Sequence, residues 1–519
     1  MTGAPAPDAS ARRPPAVRPV EWSTIPWDQA GATVRALQCR IAKAVREGKL
    51  RKAQSLQWLL THSWSAKVLA VQRVTMNKGK RTPGVDGVTW TTPEAKLQAA
   101  QQLQRRGYRP QPLRRIYIPK KNGKLRPLGI PTMQDRAMQA LHLLALAPVA
   151  ETLADRNSYG FREYRGCADA IEQAFLCLAK PTSGTWVLEG DITACFDQIS
   201  HAWLTSHVLM DRRILQQWLT AGYVWQGDLF PTIAGTPQGG ICSPTLANLV
   251  LDGLEATIRQ AANSPRVHFI RYADDFLVIA RHQEMLSERV VPAITAFLAT
   301  RGLTLSVEKT VITSIYEGVD FLGQHLRKYG KQQLKLLITP SKANVQRFLA
   351  YVQQYIDAAY HWTRAELVKG LNRKIRGWAR YHRHICAKAT FSYVDWRIYH
   401  MLVRRERRMN PKMGKRTIQR KYFEVGPYGS PRASDASSST NAIRLLRAAQ
   451  IPIVRHIKVR AAATPYDPTY DTYFAQRRRK VPRESHGEWV PGPPNLESTS
   501  GHNRGAQEQG ASFEGLEPY

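Results

Sequence analysis

The sequence predicts an α+β fold, and three observations carry that expectation. Short apolar runs of strand length are mixed with longer stretches of helical period, without the regular alternation that builds a parallel sheet. Two pairs of runs fold back as hairpins, one around Asn122-Gly123 and one around Asp274-Asp275. After Leu337 the pattern turns helical and very basic, with 30 Lys+Arg against 8 Asp+Glu from Ser341 to Lys480.

Taken in order, residues 1–20 are rich in Pro and Ala and are expected to be disordered. From Trp27 to about Thr75 the period is helical, with Val34, Leu37, Ile41 and Val45 on one face. "RTPGVDGVTW" (Arg81 to Trp90) is a turn-rich loop. "LRRIYIPKKNGKLRPLGIPT" (Leu113 to Thr132) reads as a hairpin turning at Asn122-Gly123. Asp135 is the expected cap of a helix running to about Leu153. "TWVLEGDITACFDQIS" (Thr185 to Ser200) starts as an apolar strand, and Ser200 caps the next helix. "GTPQGGICSPTLANL" is a glycine-rich turn leading into a helix. "SPRASDASSST" (Ser430 to Thr440) looks like a flexible connection, and beyond about Arg483 the chain is polar and patternless.

The charge narrows the partners. The 519 residues carry 75 Lys+Arg against 40 Asp+Glu, a net +35, which points to a polyanion such as nucleic acid. No apolar stretch is long enough to span a membrane, and the N-terminus lacks the apolar core of a signal peptide. The six cysteines form no C-x-x-C pair, so neither a zinc site nor a disulfide framework is expected, and "HRHIC" (His382 to Cys386) has no second ligand cluster. "LNRKIRGWARYHRHI" interleaves Arg373, Lys374, Arg376 and Arg380 with Trp378 and Tyr381, the mixture that binds and stacks on single-stranded nucleic acid. Its bland alternative is an amphipathic helix with a wet charged face.

"FIRYADDFLVIA" (Phe269 to Ala280) sets Asp274 and Asp275 side by side between two apolar strands. Adjacent carboxylates repel, and a hard divalent cation such as Mg²⁺ relieves the repulsion. Asp191 ends another strand; if the strands are neighbours, it faces that pair. Carboxylates so placed can hold two metal ions about 4 Å apart for nucleotidyl transfer. Asp197 has a plainer role near a helix N-terminus. Lys120 and Arg126, flanking the first hairpin, are candidates to grip a triphosphate, and Lys309 in "GLTLSVEKT" is another. Gln238, in the glycine-rich turn, is placed to contact a base or the template.

These stretches, in this order, resemble bacterial group II intron-encoded proteins, which are reverse transcriptases with maturase activity. The matching segments are "RTPGVDG", "IPKKNGKLRPLGIPT", "RNSYGFREYRGCADAI", "DITACFD", "GTPQGGICSPTLANL", "RYADDFLVIA", "GLTLSVEKT" and "FLG" at Phe321, over roughly residues 27–335, followed by "LNRKIRGWARYH" and "KYF". "IKVRAAATPYDPTYDTYF" (Ile457 to Phe474) resembles the segment around the family's DNA-binding region.

The resemblance implies a right-hand polymerase. Its parts would be an N-terminal extension and start of the fingers (21–110), fingers and an antiparallel palm (111–337), an α-helical thumb/maturase domain (338–410), a DNA-binding-like basic region (411–482) and a disordered tail (483–519). It implies two Mg²⁺ on Asp191, Asp274 and Asp275, and Phe196 beneath the sugar, selecting deoxynucleotides. Implied partners are the intron RNA, target DNA, an RNA template with a DNA primer, and dNTPs, in a cytoplasmic, nucleoid-associated ribonucleoprotein; a homodimer is a further expectation. One departure stands out: no cysteine follows Cys386, so the HNH endonuclease that ends many relatives is not expected. Other readings are a reverse transcriptase recruited to defence or repair, and a splicing-only maturase.

Overall fold

The carboxylates sit on a four-stranded antiparallel sheet formed by runs far apart in the chain. The computed structural model describes residues 21–119, 125–330, 334–425, 431–433 and 443–480. In chain order its first strands are β1 (Leu113–Pro119), β2 (Leu125–Ile130), β3 (Trp186–Gly190), β4 (Tyr223–Trp225), β5 (Asp228–Phe230), β6 (His268–Tyr272), β7 (Asp275–Ala280) and β8 (Val311–Ser314). The central sheet has the order β6-β7-β3-β8. Every residue from Phe276 to Ala280 is buried, so β7 is covered on both faces. This is why its sequence is an unbroken apolar run rather than an alternating one.

A second sheet, β2-β1-β4-β5, contains the first hairpin, with Ile118 opposite Arg126. The Asn122-Gly123 turn expected there, and Lys120, lie outside the described residues. A third sheet joins β9 (Val319–Phe321), β10 (Gln324–Tyr329) and β11 (Lys335–Pro340).

The helix Met133–Leu153 runs through the core and is buried on almost every side, packed against the helices Trp27–Arg46 and Trp64–Met76. Its cap is Thr132, whose hydroxyl accepts from the Asp135 amide, and not Asp135 as the sequence suggested. Asp135 lies one turn in, buried, where its carboxylate accepts from Tyr108 (2.7 Å) and Thr132 (2.7 Å). A buried carboxylate needs such donors, and here they come from the preceding loop and the cap itself. Ser200 does cap its helix, accepting from the Trp203 amide.

The chain divides into two compact units. The first comprises the described residues up to Asn344, His382–Ala387, and those from Pro452 on. The returning segment is fastened to the helix Cys167–Leu178 through Asp169, whose Oδ1 accepts from the Val459 amide (2.7 Å) and lies 2.9 Å from both His456 and Arg477. Burial opposes the Asp169 charge, but His456 and Arg477 hold its carboxyl below the usual range. In the same unit His382 is fully buried beside Asn344 (3.1 Å), a packed core histidine.

The second unit is mainly the helices Arg364–His382, Lys388–Met409 and Lys415–Tyr422, with most of Lys342–Ala358. Trp378 is its hub, 0% exposed, stacked on Phe348 (4.6 Å, 6°) and edge-on to Phe391 (5.6 Å). Arg405 is buried too, donating to the carbonyls of Ala359, Tyr360 and Trp362. Among the described residues no helix is long and apolar enough to cross a membrane.

Candidate active site

β3 and β7 are antiparallel neighbours with Gly190 opposite Phe276. Asp191 directly follows β3 and Asp275 is the first residue of β7, so one further step of the register brings their backbones level, and each carboxylate acts on the other's charge. Tyr272 pairs with Asp275, which leaves Ala273 and Asp274 as the two-residue turn. Ala273 adopts φ +57°, the left-handed conformation that an Asn or Gly would supply at less cost.

The turn is held from behind by a network that sequence reasoning did not find. Arg271 is 0% exposed; it donates to Asn248 Oδ1 (3.0 Å) and the Ala273 carbonyl (3.3 Å) and pairs with Asp252. Asn248 in turn donates to the Gly160 carbonyl (2.8 Å). Gly160 lies hard against the turn, and a Cβ there would come within 2.4 Å of the Ala273 backbone nitrogen. The close approach requires glycine at this position. The available signals were an arginine directly before the tyrosine of a hairpin and a glycine in "NSYGF"; neither names its partners.

The other expected residues converge to different degrees. Asp191 accepts a hydrogen bond through its backbone carbonyl from the Ser306 amide (2.8 Å), which ties the loop of "GLTLSVEKT" to β3. Lys309 follows in that loop, and its ammonium donates to Asp191 Oδ2 at 2.7 Å. Its own pKa is raised by that bond and by Asp275 and Asp274. Arg126 is exposed on β2, and its charge favours ionised Asp274. Phe196 sits half-buried in the short helix Cys195–Gln198, edge-on to Phe161 (6.3 Å, 78°). The glycine-rich turn fixes this helix from the side: Thr236 donates to the Phe196 carbonyl (2.7 Å) and Gly235 to that of Ile199 (2.8 Å). Gly235 has φ +83°, and a Cβ on it would strike the Phe196 and Asp197 backbone. Gln238 donates to both Asp197 carboxylate oxygens, at 3.2 and 3.3 Å.

The electrostatics record crowded acids. Desolvation, then Asp274, Asp191 and Glu189, push the Asp275 carboxyl up to about 7, although its side chain reaches solvent. Asp274 is raised as well, by desolvation first and by Asp191, against the pull of Arg126 and Lys309. Glu189, two residues before Asp191, is pushed up to about 7 by burial, Asp320 and Asp191. Such a group of hard oxygen donors fits a divalent cation. Among the described residues no group of three or more His, Cys, Asp or Glu forms a ready-made metal cage. Mg²⁺ is commonly held by one or two carboxylates and completed by water and substrate phosphates, so an open arrangement of this kind suits it.

The expected nucleic-acid helix is corrected in part. Arg373, Arg376 and Arg380 are exposed and recur at the spacing of one helical face. Trp378 is not available for stacking on nucleic acid, because its rings already face Phe348 and Phe391. Lys374 is half-buried, donating to the Tyr351 hydroxyl (2.6 Å) and lying over the Tyr355 ring (4.0 Å). Tyr381 is half-buried at the same helix end.

Residues 118–326 match the family described as reverse transcriptase (RNA-dependent DNA polymerase), 22–103 the N-terminal domain of reverse transcriptase, and 345–423 the group II intron, maturase-specific domain. Protein YkfC of Escherichia coli (strain K12) is 32% identical over an alignment of 348 positions that covers 58% of this chain and 91% of that protein. Group II intron-encoded protein LtrA of Lactococcus lactis subsp. cremoris is 29% identical over 329 residues, 50% of this chain and 54% of LtrA. Maturase-like protein 1 of Euglena gracilis is 26% identical over 369 residues, covering 69% and 76%. The chain thus spans about nine tenths of YkfC but about half of LtrA. An enzyme domain of the reverse transcriptase type and a maturase-specific domain on one polypeptide make this chain a member of the group II intron-encoded reverse transcriptase–maturase family.

Proposed function

We propose that this reverse transcriptase–maturase binds a group II intron RNA, assists its splicing and copies it into DNA, with Asp191, Asp274 and Asp275 as the catalytic carboxylates. The observation that supports the reading is the pairing of β3 with β7, which makes the strand before Asp191 a neighbour of the Asp274-Asp275 hairpin. A bound pair of Mg²⁺ ions would activate the primer 3′-hydroxyl and stabilise the leaving pyrophosphate. The chain's own residues bind and orient. Arg126 and Lys309 supply positive charge for a triphosphate, with Lys120 as a third candidate. Lys309 would exchange its Asp191 partner for phosphate as substrate enters. Gln238 would contact the base or template strand. The partners are an RNA template with a DNA primer, dNTPs and a DNA target, in a cytoplasmic, nucleoid-associated ribonucleoprotein. Full-length protein with Mg²⁺, an RNA template, a DNA primer and dNTPs should extend the primer, and chelation by EDTA should stop it. No extension under any divalent cation would contradict the reading.

Phe196 is the proposed sugar selector. Its backbone is pinned by Thr236, so truncating the ring should open space without moving the helix. Phe196→Val should raise ribonucleotide incorporation relative to deoxynucleotide by about tenfold or more, a difference of about 1.4 kcal/mol between the two transition states. An unchanged rNTP/dNTP ratio would make Phe196 only a packing partner of Phe161.

The exposed arginine face of the helix Arg364–His382 is proposed to hold structured RNA through phosphates. Replacing Arg373, Arg376 and Arg380 together by Ala should weaken intron-RNA binding. It should also flatten the salt dependence by about 0.7–0.9 for each phosphate that is no longer neutralised. Extension on an unstructured template should survive better. An unchanged affinity and slope would show a merely solvated face.

A further inference from the structure

The helices Leu50–His62 and Met133–Leu153, with the chain around Leu103 to Arg106 and Met210 to Asp211, enclose a cavity of about 400 Å³ that shares no residue with the carboxylate site. Its lining mixes apolar side chains, Leu103, Met138 and Leu141, with polar and charged ones, among them Gln104 and the Arg105–Asp211 ion pair. At its edge Trp58 is 59% exposed, with its ring stacked on His62 (4.2 Å, 26°). Lys67 and Arg106 line it as well.

Two polar side chains in this lining, Gln57 and His142, are each only 7% exposed. Gln57 Nε2 donates to the carbonyls of Ala145 (3.2 Å) and Leu209 (2.9 Å). Both partners are acceptors, so the amide orientation is settled and Oε1 is the group left over, with no hydrogen bond among the described residues. His142 lies edge-on to Trp218 (5.6 Å), and neither of its ring nitrogens has a hydrogen-bond partner among the described residues. Burial pushes its pKa down to about 4, so the ring is neutral and offers one donor and one acceptor. Gln57 and His142 both line the cavity, so a ligand entering it can satisfy them.

We propose that this cavity captures an unpaired nucleobase of a bound RNA strand. The Trp58 face would stack on the base, while Gln57 Oε1 and His142 meet its hydrogen-bonding edge. Lys67 and Arg106 would meet the adjoining phosphates. The volume lies in the range of sites for nucleotide-sized ligands. A purely apolar ligand would leave Gln57 and His142 unpaired. The net charge of +35 favours a base carried by a polyanion. This goes beyond the polymerase reading and does not rest on it, because binding is measured without synthesis.

The test uses the full chain and a short, fluorescently labelled single-stranded RNA carrying 4-thiouridine. Trp58→Ala should weaken binding by about tenfold, the scale of one base–aromatic stack, and Trp58→Phe should restore most of it. The salt slope should be unchanged in Trp58→Ala but shallower by about 0.7 in Arg106→Ala. Thiouridine crosslinks should map to the peptides containing Trp58 or His142. A strand made abasic throughout should bind wild type no better than the base-bearing strand binds Trp58→Ala. Trp58 is exposed, so its removal does not threaten the core. Unchanged affinity in Trp58→Ala, or crosslinks confined to other regions, would overturn the proposal. Competition by free nucleoside monophosphates as effective as by the strand would overturn its assignment to a strand-borne base.

Discussion

Asp274→Ala is expected to cut primer extension by about 10³-fold or more, while binding of the RNA template stays within a few-fold of wild type. The scale follows from the several kcal/mol of charge stabilisation that a correctly placed metal ion supplies, at 1.36 kcal/mol per tenfold. Binding should persist because Asp274 contributes negative charge, and removing it from a strongly basic chain does not weaken attraction to a polyanion. The fold should also persist. Asp274 lies in the turn, and the carboxyl it crowds, Asp275, is relieved by its loss. Single-turnover extension and filter binding on the same preparation separate the two effects. Extension near the wild-type rate would remove Asp274 from the reaction.

Arg271→Leu should cause the largest loss of stability. Arg271 is fully enclosed and bridges Asp252, Asn248 and the Ala273 carbonyl, so its removal leaves Asp252 buried without its counter-ion. Breaking a buried pair from one side costs about 3–5 kcal/mol. Burial already pushes the Asp252 carboxyl up to about 6 despite the pull of Arg271, so the orphaned group should take up a proton near neutral pH. The double variant Arg271→Leu/Asp252→Asn should recover part of the loss, because the uncompensated charge is gone. Thermal unfolding of the single and double variants measures this directly. Equal stability of Arg271→Leu and wild type would show that the network does not support the turn.

Much of the central sheet was legible in the sequence. The apolar runs around Asp274-Asp275 and before Asp191 read as strands, and they are neighbours in one sheet. The glycine-rich turn was also legible, because glycine at a close approach leaves a local signature. The supporting network was not. Arg271 finds Asn248 and Asp252 across a helix, and Asp169 finds His456 and Arg477 some three hundred residues on. No local pattern encodes such partners. Trp378 misled for a physical reason: on an amphipathic helix an aromatic among arginines can face either way, and here the core took it. Charge behaves likewise: Arg405, in the basic run Arg404 to Arg408, is drawn inward and donates to three carbonyls. The Thr132 cap was missed because both Thr132 and Asp135 are good cap residues, and only the backbone decides between them.

The most direct test of the central claim is to count divalent ions at the carboxylates. Mn²⁺ binding can be followed by electron paramagnetic resonance on the full chain with RNA template, a primer lacking its 3′-hydroxyl, and the matching dNTP. Two tightly bound Mn²⁺ per chain are expected in this complex, with both sites weakened in Asp191→Asn and in Asp274→Asn while template affinity is kept. Undiminished Mn²⁺ binding in both variants would place the metal ions elsewhere and contradict the assignment of Asp191, Asp274 and Asp275.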